Sequence, residues 1–232
     1  MDIYLLRHGE TEWNRAGRLQ GRTDIPLNET GRMQMDHAGE VLKQLGVRMN
    51  LILASPLSRA QESAGIVARK LGYSQDEIVA EEMLLERCFG AGEGLTGAER
   101  KEKYPDDIFP DMEPVGEIRQ RARGMIHKIT DTYGNRENIL LVAHGAIFYA
   151  VMAALGDGHF AYIGKSIILD QGNIYRIRYT KGRIGVSRYD GGRKVFEEID
   201  NYEGSQLTHT VEDGENPGKE TAWDGKRLFR EA

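Results

Sequence analysis

One cysteine, Cys88, stands in 232 residues, so an intrachain disulfide framework is excluded. No run of apolar residues is long enough to span a bilayer. The apolar start is too short for a secretory signal and has Asp2 before it, so a cytoplasmic protein is expected. An excess of positive charge is also missing. Lys and Arg number 31 against 36 Asp and Glu, a net charge of −5. That balance argues against general nucleic-acid or membrane binding while leaving room for a local basic pocket. No His, Cys and Asp grouping has metal-ligand spacing, so neither a metal nor another cofactor is expected.

Three short apolar runs stand out against these absences. Ile3-Tyr4-Leu5-Leu6 does not alternate with polar residues, so it reads as a strand buried on both faces, as in a parallel sheet. It stops at Arg7-His8-Gly9, where Gly9 permits a sharp turn or close approach of a ligand. Ile139-Leu140-Leu141-Val142-Ala143 repeats the pattern and ends in His144-Gly145. Leu51-Ile52-Leu53-Ala54 leads into Ser55-Pro56-Leu57-Ser58-Arg59. There Ser55 is expected to cap a helix and Pro56 to occupy its first turn. Open parallel sheets bind ligands at the carboxyl ends of their strands. If these strands are parallel neighbours, two His and two Arg meet at one edge. Such a cluster suits a dianion, and phosphate is the natural one.

The rest of the chain alternates. Asn28 is a good N-cap, and Met35, Ala38, Val41, Leu42 and Leu45 follow at helical spacing, which predicts a helix at about 29–45. Further helices are predicted at 56–71, 98–103, 115–133 and 146–155, with strands at 78–80, 166–169, 173–179 and 184–189. This pattern predicts an α/β protein, a three-layer α/β/α sandwich with a mostly parallel central sheet. Residues 86–116 are glycine-rich and break the periodicity, so they are read as a cap over the strand ends. Residues 1–200 are read as one domain, large enough for a stable core. Residues 201–232 are read as a polar tail, in which Trp223, Leu228 and Phe229 pin it to the body or to a partner. A homodimer is left open.

Three motifs together resemble the histidine phosphatase superfamily: Leu-Arg-His-Gly-Glu-Thr-x-Trp-Asn at 6–14, Ser-Pro-Leu-x-Arg-Ala at 55–60, and His144-Gly145. The resemblance runs over roughly residues 1–180 and implies a phosphoglycerate mutase-like fold. It implies that His8 is the nucleophile. A neutral imidazole can attack phosphorus and split hydrolysis into two steps. Arg7 and Arg59 would grip the non-bridging oxygens, with His144 as a third contact. Asn14, Gln20, Gly21, Gly145 and Arg87 are the further residues expected at the phosphate or substrate. Leu-Leu-Glu-Arg-x-Phe-Gly-x-x-Glu-Gly at 84–94 matches the family segment whose first Glu is the general acid, which points to Glu86, with Glu93 as competitor.

Cys88 lacks the Cys-x5-Arg spacing of cysteine phosphatases because position 94 is Gly, and it is read as structural or substrate-lining. Arg119, Arg121 and Arg123 are candidates to line the cap, but two residues apart on one helix they point in different directions, and most of them are read as a solvated face. The expected activity is metal-independent hydrolysis of a small phosphomonoester through phosphohistidine, with no nucleic acid and no membrane as partner. Two rivals are a phosphoglycerate mutase-type transfer and a non-catalytic phospho-ligand binder. The family's mutases typically read Glu-Arg-His-Tyr-Gly and carry a longer basic insertion, where this chain has Glu86-Arg87-Cys88-Phe89-Gly90. Retention of Arg7, His8, Arg59, Glu86 and His144 together argues against the binder.

Overall fold

The computed structural model describes residues 1–160, 171–180 and 182–203. In chain order the elements are β1 (Asp2–Arg7), α1 (Glu12–Arg15), α2 (Glu29–Gln44), β2 (Leu51–Ala54), α3 (Ser58–Leu71), β3 (Val79–Ala80), α4 (Gly97–Lys103), α5 (Val115–Tyr133), β4 (Asn138–Ala143), α6 (Gly145–Ala154), β5 (Ile174–Thr180), β6 (Arg183–Asp190) and β7 (Val195–Glu203). The strands form one sheet in the order β3-β2-β4-β1-β5-β6-β7. β3, β2, β4 and β1 run parallel, and β5, β6 and β7 extend the sheet with antiparallel pairs.

The absence of alternation in the strand sequences has a plain cause: both faces are covered. Ile3, Leu5, Leu51, Leu53, Ile139 and Leu141 pack with Ile118, Met125 and Ile129 of α5 and with Phe148 and Val151 of α6. Tyr4, Leu6, Ile52, Ala54, Leu140 and Val142 pack on the opposite face with Met35 and Leu42 of α2 and Ala64 and Val67 of α3. Side chains of successive strand residues point to opposite faces, so each strand feeds both layers. Full burial of one Leu or Ile stabilises by about 1.5–3 kcal/mol, so truncating Leu5, which is wholly buried, removes a large share of a typical folding margin.

The parallel register brings the chemistry-bearing residues to one edge. Arg7 pairs with Ala143, and the His8 N–H donates to the Ala143 carbonyl (3.0 Å). β2 ends beside β4, with the Ser55 N–H on the Val142 carbonyl (3.0 Å). The chain segments after β1, β2 and β4 therefore leave the sheet side by side.

The structure corrects several expectations. α3 begins at Ser58, not at Pro56, and Ser55 is not its cap. Its N-cap residue Leu57 makes no side-chain bond. Instead Asp24 Oδ1 accepts from the Ser58 N–H (2.9 Å) and from the Ser58 hydroxyl (2.8 Å). β7 was not foreseen: Val195–Glu203 is an acidic edge strand, where one covered face suffices and the apolar signal is weak. A boundary between 200 and 201 falls inside it. The expected strand at 166–169, and the tail from residue 204 on with Trp223, Leu228 and Phe229, lie outside the described residues. Among the described residues no helix is long and apolar enough to cross a membrane.

Candidate active site

His8 and His144 stand next to each other, with ring centroids 5.1 Å apart, and both are buried. His8 Nδ1 lies 2.7 Å from the Gly9 carbonyl. A carbonyl only accepts, so Nδ1 carries the proton and Nε2 keeps its lone pair. Arg59 Nε lies 3.3 Å from that Nε2 and donates to it. Burial first, then the charges of Arg59 and Arg7, hold the His8 pKa well below 6.5. His144 is lowered likewise by burial, then by Arg59, His8, Arg7 and Arg121. Both rings are therefore neutral near pH 7. The glycine after His8 answers to packing. A Cβ on Gly9 would sit 2.3 Å from the Gly31 carbonyl of α2, and the Gly9 N–H donates to Ser63 Oγ (3.1 Å).

The two arginines are held from below. Arg59 is 1% exposed, and its guanidinium donates to the Gly21 carbonyl (2.7 Å) and the Thr23 carbonyl (3.0 Å). Gly21 has φ +57°, a left-handed conformation suited to glycine. Its carbonyl accepts from Arg59 and holds that side chain in place. The Arg7 guanidinium packs over Gly145 at the start of α6, 3.8–4.0 Å from where a Cβ would lie. Asn14 Oδ1 accepts from the Thr11 N–H and hydroxyl in the capping box of α1, so its NH2 is the end left for a ligand. Gln20 is buried, and its Oε1 has no partner among the described residues.

Glu86 comes to the same place from the cap. Its Oε1 accepts from the backbone N–H groups of Arg87 (2.9 Å), Ala146 (3.1 Å) and Ile147 (3.2 Å), and its Oε2 from Ala146 (3.2 Å). The carboxyl thus caps α6, where His144 makes no side-chain cap bond and where the helix dipole favours negative charge. Glu93 is committed elsewhere. Its Oε1 accepts from the Arg22 and Phe89 amides, and its Oε2 from the Thr23 amide and hydroxyl. With four donors on its two oxygens, it ties the loop at 20–23 to the cap.

Arg121, one of the three arginines weighed in the sequence, and Glu113, which the sequence reading passed over, organise this corner. Arg121 grips the buried Glu113 with two bonds (2.8 and 2.9 Å) and donates to the carbonyls of Met83 and Leu85. Glu113 also accepts from the Cys88 N–H, and its carbonyl takes Arg87 Nε (2.9 Å). Arg87 is buried, with its guanidinium over the Phe89 ring, so it bonds within the cap itself. Arg22 Nε donates to the Glu86 carbonyl (3.2 Å). The backbone around Glu86 is therefore held on three sides. A signal for Arg121 was present: with Ile118, Ala122 and Met125 it shares one helical face, and a cation in an apolar stripe needs a buried partner. Ser55 was read as a cap, yet its hydroxyl lies 2.8 Å from His144 Nε2.

The chain is similar to known proteins of one family. An uncharacterized phosphatase of Bacillus subtilis, PhoE, is 39% identical over 156 residues, 67% of this chain and 78% of the relative. A Cronobacter sakazakii protein named probable phosphoglycerate mutase GpmB is 31% identical over 193 residues, 78% of this chain and 86% of its own. Among solved structures, a mycobacterial glucosyl-3-phosphoglycerate phosphatase superposes with a TM-score of 0.66 at 25% identity, covering 76% of this chain and 92% of that one. The family model of the histidine phosphatase superfamily (branch 1) matches residues 3–190. That span takes in the carboxyl ends of β1, β2 and β4 and the cap described above, and by it the chain belongs to the histidine phosphatase superfamily.

Proposed function

We propose that the chain hydrolyses small phosphomonoesters through a phosphohistidine on His8 Nε2. The observation that carries this reading is the fixed tautomer of His8. Its Nδ1 proton is engaged by Gly9, and its Nε2 lone pair lies under Arg59 in a buried, positively charged corner. A phosphate placed there has its oxygens on Arg7 and Arg59 and its phosphorus in front of the Nε2 lone pair. Nε2 forms the N–P bond as the ester P–O bond breaks. The alcohol oxygen then takes a proton from Glu86. Oε1 is already crowded by three N–H donors, so Oε2 is the oxygen that carries that proton. In the second step the ionised Glu86 takes a proton from water, water oxygen bonds to phosphorus, and the N–P bond breaks to release phosphate. The relatives named phosphatases support hydrolysis.

The test is rapid quenching of the protein with a phosphorus-labelled ester. A labelled protein that loses phosphate in acid, keeps it in base and disappears in His8→Ala is the expected result. A base-labile phosphoserine, or label on Cys88, overturns the mechanism. A second reading, phosphoryl transfer between positions of one substrate, draws on the likeness to the Cronobacter protein. Incubation with 3-phosphoglycerate separates the two: inorganic phosphate appears from a phosphatase, 2-phosphoglycerate from a mutase.

A further inference from the structure

We infer that Ser55 fixes the tautomer of His144, so that this imidazole turns an N–H, not a lone pair, toward the phosphate. The inference rests on the phosphatase reading above. His144 and Ser55 are both fully buried, and Ser55 Oγ lies 2.8 Å from Nε2. The only other bond to that hydroxyl among the described residues is a long one from the Leu57 N–H (3.4 Å), which uses an oxygen lone pair. The hydroxyl proton therefore has one acceptor, His144 Nε2. If Nε2 accepts, a neutral ring must carry its proton on Nδ1. That Nδ1 is buried and has no partner among the described residues, which leaves it as the nitrogen for a ligand.

The opposite arrangement fails on two counts. An Nε2–H donating to Ser55 would leave the hydroxyl proton buried without an acceptor. It would also aim the Nδ1 lone pair at an anion held by Arg7 and Arg59. An unmet buried donor is costly, and a lone pair facing phosphate oxygen is repulsive. Depression of the His144 pKa adds to this. The ring does not have to be charged to donate, because Ser55 supplies the tautomer. The two histidines then carry their protons on the same atom, Nδ1, yet turn opposite nitrogens to the phosphate: His8 its bare Nε2 and His144 its Nδ1–H. One ring attacks and the other donates, although both are neutral imidazoles in one buried corner.

The experiment is long-range ¹H–¹⁵N NMR of histidine-labelled protein at pH 7.5, with His144→Gln to assign the signals. In the free wild type, His144 should show a protonated Nδ1 and a bare Nε2. In Ser55→Ala this preference should be lost while His8 keeps its proton on Nδ1, a control for intact folding. Orthovanadate, read by titration, should bind Ser55→Ala about tenfold more weakly, and Ser55→Thr, which keeps the hydroxyl, should recover both tautomer and affinity. A wild-type His144 with its proton on Nε2 overturns the proposal, as does a Ser55→Ala protein with unchanged tautomer and vanadate affinity. A wild type that ignores both vanadate and phosphomonoesters overturns the phosphatase reading instead, and the free-protein spectrum still decides the role of Ser55.

Discussion

Replacing Glu86 by Gln separates proton donation from mere placement. The amide can seat its carbonyl where Oε1 lies and keep the three N–H donors of Arg87, Ala146 and Ile147. Its NH2 then meets the Ala146 N–H, where Oε2 accepted at 3.2 Å. That mismatch and the lost charge at the α6 N-terminus cost about 1 kcal/mol of stability, in line with losing a helix cap. The chemical loss is larger. General acid catalysis contributes about 10²–10⁴-fold, and a loss of about 10³ corresponds to roughly 4 kcal/mol on the barrier. An alkyl alcohol leaves badly as its anion and needs the proton, whereas p-nitrophenolate leaves well without it. Glu86→Gln should therefore lose about 10²–10³-fold in kcat/KM on glycerol 3-phosphate and less than about tenfold on p-nitrophenyl phosphate. A thermal melt taken alongside reads the small stability change separately. Equal losses on both esters refute the assignment and leave Glu86 a positioning residue. A selective loss in Glu93→Gln would move the acid there, against the four donors that occupy that carboxylate.

Gly21→Ala should destabilise the protein by about 2–3 kcal/mol and raise KM, because its Cβ would fall 2.0 Å from Glu93 Oε1 at a positive φ; urea unfolding and initial rates check both. Stability should also fall with acid. His8 and His144 have folded pKa values well below 6.5, so below pH 6.5 the unfolded chain binds protons that the folded one refuses, at up to about 1.4 kcal/mol per pH unit for each ring. Above that pH the effect is absent, and urea midpoints at pH 5.5 and 7.5, compared between wild type and His144→Gln, should converge at the lower value. Activity should survive exhaustive chelation, because Arg7 and Arg59 supply the positive charge and no three His, Cys, Asp or Glu side chains converge among the described residues. A loss restored only by Mg²⁺ or Zn²⁺ would contradict that assignment.

How far the sequence could be read depended on the range of the interactions involved. β1, β2 and β4 were legible because burial on both faces removes every polar residue from a strand, and that mark is local. The start of α2 was legible because its cap, Asn28, is the adjacent residue and accepts from the Gly31 N–H. The start of α3 was not, because its cap, Asp24, lies 34 residues before it. β7 escaped because an edge strand that carries Glu197, Glu198 and Asp200 looks like surface in the sequence. At the site, Arg7, His8, Arg59 and His144 were found because each follows directly on a recognisable strand or its turn. The seat of Glu86 on α6 was not visible, since it joins residues 60 apart. Arg121 was left undecided between the cap and a solvated face although its place in the apolar stripe of α5 marked it.

The unread contacts share one purpose. Gly21 and Thr23 hold Arg59 by their carbonyls, while Glu93 of the cap holds the amides of Arg22 and Thr23 in the same loop. Arg22 then returns to the Glu86 carbonyl, and Asp24 fixes the first turn of α3, where Arg59 begins. The phosphate grip and the proposed acid are thus parts of one hydrogen-bonded body, although they belong to three separate stretches of chain. A reaction that needs phosphorus near Nε2 and a proton at the leaving oxygen gains most from fixing those two points relative to each other, because misplacement by about 1 Å can cost about 10²-fold. Contacts that set such a distance must run between segments, so they leave no local periodicity and no short motif. The strand-end residues name the chemistry, and the long-range bonds among loop, cap and helix ends set its geometry.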